Sequence, residues 1–490
     1  MKKLLVAISA FLSFAVQAQQ NVLLDQTFWK NAPDVATVKA EIEKGSNPAQ
    51  LNGNMFDPVV MAINAGAPNP TIQYLLAQPG NSVDKLTHDG RIYLHWAAMR
   101  GNTEIMEYLV SKGAKGNFVD GHGATPINFA AGGGQQNTKV YDICLAHGAD
   151  LKKDLNNDGA NALLIAVASD KEMKLTNYFI SKGLDLKSTD AAGNNAFAYA
   201  ARTGKIEVLK TLLEKGVPAN ANVILMAAQG SRGGANPIEV YQYLESLNLK
   251  PNVIGKNGEN ALHAIVRKPK QEEIIRYFLS KGVDVNKADE DGNTVFMNAA
   301  ASNRDIATLE LLLSRVKDIN QVNSKGVSAM AMAVRGNSPE VIRFLADKGA
   351  SVNMADKNGD NLAFYLVQSY QTQRAAEFDA KLKALQEKGF KVTEPAKNGN
   401  TLYHVAVAKN DISLVKRLES YQIDVNAKNK EGLTALHKAA MVSKDDSMMK
   451  YLLSIGAKKD IVTNFKETAF DLAGENESLS KNNVTVNFLK

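Results

Sequence analysis

Cysteine is almost missing from this 490-residue chain, for Cys144 stands alone. A single thiol excludes an intramolecular disulfide, a cysteine-based zinc site and a redox pair. Cys144 lies between Ile143 and Leu145 on an apolar helical stretch, where nothing adjacent would lower its pKa, so it reads as a buried structural thiol. Long hydrophobic runs are also lacking. The longest, Leu4 to Val16, falls short of the ~20 residues that a membrane-spanning helix needs. Charge of one sign is scarce as well: 57 basic against 51 acidic residues leave +6, with both signs interleaved. A nucleic-acid partner, which wants a clustered basic face, is not indicated. No Gly-x-Ser-x-Gly, His-Glu-x-x-His or Walker-type segment occurs, so the usual sequence marks of hydrolase, metalloprotease and phosphate-loop chemistry are missing.

What is present is repetition. Asn429 to Gly456 contains a polar run with Gly432, a cap residue Thr434, and an apolar stripe of Leu436, Ala439 and Ala440. That is a turn followed by a short helix. Met448, Met449, Tyr451, Leu452 and Leu453, closed by Gly456, make a second helix with a glycine stop. A unit of this size cannot bury its own apolar face and must stack on copies of itself. The turn glycines recur at Gly90, Gly123, Gly159, Gly193, Gly258, Gly292, Gly326, Gly359, Gly399 and Gly432. The steps cluster near 33 to 36, with one of 65, about two periods, and one of 40.

The period, the Gly-x-Thr-x-Leu-His-x-Ala-Ala stretch and the Leu-Leu-x-x-Gly-Ala ending together resemble the ankyrin repeat. The resemblance covers residues 22 to about 480 and implies an all-α solenoid of about thirteen helix-turn-helix units plus a C-terminal cap. At about 10 Å between neighbouring helices the stack would extend roughly 130 Å along its arc.

In chain order, residues 1–18 read as a cleavable signal peptide: Lys2 and Lys3, an apolar core, then small-residue cleavage after Ala18. With no cysteine after the apolar run, a lipid anchor is not supported, and the expected product is bacterial, periplasmic or secreted. Residues 19–222 hold the first half of the repeats. The first unit is divergent, with Phe28 and Trp29 on its first helix and Val35, Val38 and Ile42 on its second, as suits a terminal cap. Residues 223–254 form an irregular unit in which Asn236 and Pro237 start the second helix; the stretch 217–236 reads equally as a hinge or as a decayed repeat. Residues 255–463 hold the second half, and residues 464–490 a cap and tail in which Asp471 takes the place of the repeat histidine. The 40-residue step comes from an insertion at Gln368 to Ala375 that should lengthen the helices of its unit, and such insertions often map to a binding face.

His95, His263, His404 and His437 share one repeat position. The resemblance implies that each ring hydrogen-bonds the helix cap and the neighbouring turn, a structural role and not a catalytic or metal-binding one. No cofactor is expected. The side chains free of packing duties are those that flank each turn glycine and those after the Ala-Ala of each first helix, and there partner specificity can reside. The resemblance makes the partner-binding candidates Arg91, Arg100, Arg202, Arg267 and Arg335, since arginine is favoured at binding hot spots, together with His88, His122, Lys256, Glu259, Asn293, Lys325, Asp360 and Asn400. The expected function is a non-catalytic, monomeric scaffold that binds a protein through its turns and concave helix face. The alternatives are an architectural spacer, an accessory factor for an envelope enzyme, and a glycan-binding protein. The last would want groove aromatics, which these positions lack.

Overall fold

The computed structural model describes residues 21–231 and 234–490, so the leader expected at residues 1–18 lies outside the described residues. Regular structure among them is helical: 28 α-helices and five short 3-10 turns, with isolated β-bridges only at loops. The all-α expectation holds. The chain divides into two compact units, the first ending at Val223 and the second beginning at Ile224.

In the first unit the repeat is clearest at Tyr93–Arg100 and Thr103–Ser111. Gly101 stops the first helix in the left-handed conformation, and the Asn102 side chain accepts from the Ile105 amide to start the second. Leu94, Ala97 and Ala98 are buried on the first helix and Ile105, Met106 and Leu109 on the second. First helices pack on first helices: Tyr93–Arg100 lies between Pro58–Ala65 and Pro126–Gly132. Second helices do the same, with Thr103–Ser111 between Asn69–Leu76 and Thr138–Ala146. The divergent first unit is present as Gln26–Trp29 and Val35–Glu43, with Trp29 buried and its indole N–H donating to the Leu23 carbonyl at 2.9 Å.

The second unit continues the pattern, with Val295–Ser302, Ala329–Gly336 and Leu362–Ser369 stacked in succession. The irregular repeat is a helix pair, Val223–Gln229 and Ile238–Ser246, and its Pro237 sits one residue earlier than expected, at the cap and not inside the helix. The insertion is taken up almost wholly by one element. Leu362–Ser369 keeps the usual eight residues, while a 3-10 turn, Thr372–Arg374, leads into Ala375–Glu387 with 13. Asp471 does replace the histidine of the capping box, since its carboxylate accepts from the Thr468 amide at 2.8 Å. The tail then closes with Glu477–Lys481 and buries Leu479 and Leu489.

Successive turn tips are tied by backbone hydrogen bonds. Gly121 N–H donates to Asp89 O at 2.7 Å and Ala191 to Asp158 at 2.9 Å in the first unit; Glu290 donates to Asn257 at 2.7 Å and Lys357 to Lys325 at 3.0 Å in the second. This close approach explains the turn glycine. At Gly326, with φ of 78°, a Cβ would stand 2.8 Å from the Lys357 amide nitrogen, so any other residue would add backbone strain to a clash.

Candidate partner-binding site

The repeat histidines are packed into the stack. His263 Nδ1 accepts from the Asn260 amide at 3.1 Å, which leaves Nε2 to donate to the Asn293 carbonyl of the next turn at 3.2 Å. His404 bridges Thr401 and Leu433 in the same way, at 3.1 and 2.9 Å. His95 meets only the next turn, through Nε2 and the Ala124 carbonyl at 3.1 Å, and His437 only its own cap, where Nδ1 accepts from the Thr434 amide at 3.1 Å. Burial lowers the pKa of all four rings, that of His95 to about 4, so they are neutral structural groups. Cys144 is buried, and its thiol is pushed up to about 12 by desolvation. Among the described residues no group of three or more histidine, cysteine or carboxylate side chains could hold a metal ion.

Several side chains expected on the free surface prove to be tied between turns, and these are corrections. Arg91 is buried: its Nε donates to Asp120 at 2.8 Å, its Nη1 to Asp89 at 3.0 Å, and its guanidinium lies 4.2 Å from the centre of the Phe129 ring. Asp360 is also buried, which raises its carboxyl above the usual range, and it accepts from Asn398 at 2.7 Å. Asn293 and Asn400 are half-buried and accept from Asn323 and Asn429, at 2.9 and 3.0 Å. All four follow a turn glycine directly. That position faces the next turn, so its polar group is consumed in holding the stack together.

The remaining candidates differ in exposure. Arg100, Arg267, Arg335, Lys256, Lys325 and His122 are exposed, while Arg202, Glu259 and His88 are half-buried. Arg100 donates to Asn64 at 3.2 Å, and Arg202 caps Ala196–Ala201. His88 and His122 converge on one carboxylate, with Nε2 of each within 3.3 and 3.2 Å of Asp89 Oδ2. Partial burial pushes the Asp89 carboxyl up, but His88, Arg91 and His122 outweigh it and hold the group below its ordinary value.

Three candidates meet in the second unit. Arg267, Asn293 and Arg335 line a cleft of about 700 Å³ together with Arg304, Arg374 and Lys381, none of which the repeat pattern picks out. The sole carboxylate in the lining is Glu377, and Phe378, Met332 and Ala301 add apolar surface. Four repeats contribute. Arg267 follows Ala261–Ile265, Arg304 lies in the link after Val295–Ser302, Arg335 lies in the last turn of Ala329–Gly336, and the lengthened repeat supplies Arg374 from its 3-10 turn and Glu377 and Lys381 from Ala375–Glu387. Glu377 is shared loosely, 3.7 Å from Lys381 and 3.9 Å from both Arg304 and Arg374. Lys381 is buried, which lowers its pKa, and it donates to the Val334 carbonyl at 3.1 Å. Arg267 donates to Asn298 at 2.7 Å. Guanidinium groups in excess over carboxylates, above a floor of amide and apolar side chains, make a surface suited to anionic groups.

Comparison with known proteins agrees with this architecture. A family model described as "Ankyrin repeats (3 copies)" matches in overlapping or abutting segments from residue 59 to residue 481. Relatives include the human transient receptor potential cation channel subfamily A member 1, 21% identical over 75% of this chain and 33% of that protein. Another is the ankyrin repeat and KH domain-containing protein mask-1 of Caenorhabditis elegans, 25% identical over 54% of this chain and 10% of its own length. A palmitoyltransferase AKR1 from Lachancea kluyveri is 32% identical over 25% of this chain and 17% of that protein. The chain therefore spans a third or less of the length of these relatives. Among the described residues no helix is long and apolar enough to cross a membrane.

Proposed function

The chain belongs to the ankyrin-repeat family, and from that premise we propose that it is a non-catalytic binding protein that recognises a partner protein through exposed side chains at its turns and first-helix ends. Stacks of this kind generally present extended binding surfaces. The observation that carries the reading is the cleft of the second unit, where Arg267 and Arg335 are exposed and line one concavity about 700 Å³ in volume. Interface hot spots are enriched in arginine, and a concavity lets such side chains engage a partner on more than one side.

Export belongs to the same proposal. The lysines and apolar core of residues 1–18, with a small-residue site at Ala18, support a secreted or periplasmic protein of a bacterium. Fractionation of cells expressing the full chain, with the amino terminus sequenced, tests it: recovery outside the cytoplasm beginning at Gln19 is expected, and an intact Met1 in the cytoplasm would refute it.

Binding is tested by affinity capture with the wild-type chain and with Arg267→Ala/Arg335→Ala. Arg91 is left untouched because its loss would disturb the stack. Loss of the captured protein from the variant is expected. Equal capture by both chains would favour the architectural spacer.

A further inference from the structure

The cleft of the second unit concentrates like charge beyond what folding requires. Five cationic side chains, Arg267, Arg304, Arg335, Arg374 and Lys381, face one carboxylate, that of Glu377. The side chains of Arg304 and Arg374 are each 60% exposed, and their distances of 3.9 Å from Glu377 exceed those of a hydrogen-bonded ion pair. Glu377 thus offsets part of the repulsion without saturating any of the three cations it stands near. Clustered charge of one sign in a cleft raises the local concentration of counter-charged ligand.

The distribution of those cations says what kind of anion fits. They come from four consecutive repeats. At 8 to 10 Å between neighbouring helices, the outermost contributors are separated by roughly 30 Å along the stack. A single phosphate or small dicarboxylate meets only a part of that row. An extended chain rising about 3.3 Å per residue covers it with roughly nine residues. Phe378, Met332 and Ala301 give the backbone and intervening side chains an apolar floor, and Asn298, Ser302 and Gln368 offer neutral hydrogen-bonding groups.

We propose that this cleft binds an acidic linear segment of a partner protein, and that Glu377 is a resident counter-ion which the incoming carboxylates displace from Arg304 and Arg374. The proposal rests on the protein-binding reading above and names the chemistry of the segment recognised. Arginine forks pair with carboxylates in bidentate geometry. Glu377 holds its place on the long helix Ala375–Glu387, so it sets a threshold that a segment with several carboxylates passes and one with a single carboxylate does not.

The test uses the full chain and a fluorescently labelled nonaglutamate peptide, followed by anisotropy at low and at physiological salt. Wild type should bind the peptide, more weakly as salt rises. Arg304→Ala/Arg374→Ala, whose exposed side chains leave the helical circular dichroism unchanged, should bind at least tenfold more weakly. Glu377→Gln should bind at least threefold more tightly, and a nonaglutamine peptide should not bind at all. The proposal is overturned if removing the two arginines leaves peptide affinity unchanged, if Glu377→Gln does not tighten it, or if inorganic tripolyphosphate or a single-stranded oligonucleotide binds where the peptide does not. The two readings separate cleanly: a chain that captures a protein but ignores nonaglutamate refutes the acidic-segment proposal alone. One that binds nonaglutamate through the two arginines yet captures no protein refutes the general reading and leaves the anion chemistry of the cleft in place.

Discussion

The Arg91 guanidinium donates to the Asp120 carboxylate of the following repeat at 2.8 Å while it lies against the Phe129 ring, 4.2 Å from its centre. The Asp120 side chain is fully buried, and that of Arg91 is 9% exposed. Breaking a buried pair by removing one partner strands the other charge. Arg91→Ala should therefore destabilise the first unit by about 3 kcal/mol, and Arg91→Lys by less, since the ammonium keeps the charge but loses the fork. Both tryptophans, Trp29 and Trp96, lie in the first unit, so urea unfolding followed by tryptophan fluorescence reads that unit alone. A midpoint unchanged in Arg91→Ala would show the pair to be idle.

His95 supplies a pH dependence in the same unit. Desolvation lowers its folded pKa to about 4 from an ordinary 6.5, so between these values the unfolded state binds a proton that the folded state refuses. Stability is full above pH 6.5 and falls as the pH drops to about 4, by roughly 3 kcal/mol for this ring. The tryptophan-monitored urea midpoint should fall over that window in wild type, and fall less in His95→Gln. His263, His404 and His437 shift in the same direction, and the second unit should weaken with them.

Asn337 holds two repeats together in the second unit. It is fully buried, and its amide donates to the Ala300 and Asn303 carbonyls at 2.9 and 2.8 Å, while its carbonyl accepts from the Ser338 amide at 2.8 Å. Asn337→Ala leaves those buried groups unpaired, at a cost of about 2–3 kcal/mol. Native-state hydrogen exchange should show lost protection in Ala329–Gly336 and Pro339–Asp347. Asn337→Asp should be worse, because it turns an acceptor toward two carbonyls.

Cys144 should be inert in the folded chain. Burial raises its thiol to about 12, so little thiolate exists at neutral pH. Reaction with a disulfide reagent should be at least roughly a hundredfold slower than for free cysteine, and urea should restore it. Fast labelling of the native protein would contradict the buried placement.

The stack was legible because its causes are local. Turn glycines, cap threonines and paired apolar stripes recur in phase, and each is dictated by backbone geometry or by the need to bury one face. The shared phase marked the four histidines as one class, and the family resemblance supplied the role, which His263 and His404 fill at both ring nitrogens. The position after the turn glycine misled, because Arg91, Asp360, Asn293 and Asn400 look in sequence like any solvated turn residue. Their partners arrive from the next repeat some 29 to 38 residues on. Arg304, Arg374 and Lys381 gave no such signal for a different reason: they sit in an inter-helix link, in the insertion and on the lengthened helix that follows it, away from the positions that the repeat marks as free. The 40-residue step was the available signal, since it marks the repeat that brings Arg374 and Lys381 to the cleft. Asn337 did carry a signal of phase: Asn303 stands one period earlier, and its amide likewise donates to a carbonyl of the preceding repeat, that of Val266 at 2.8 Å.

The most direct measurement is site-specific photocrosslinking in the native host. A photoreactive residue replaces Arg335 at the cleft in one full-length chain, and Glu273 on the exposed side of a second helix in another. Position 335 should yield one defined crosslinked protein, with an acidic segment at the crosslinked site, and position 273 should not. The same products from both positions, or none from position 335, would contradict a binding surface at the cleft.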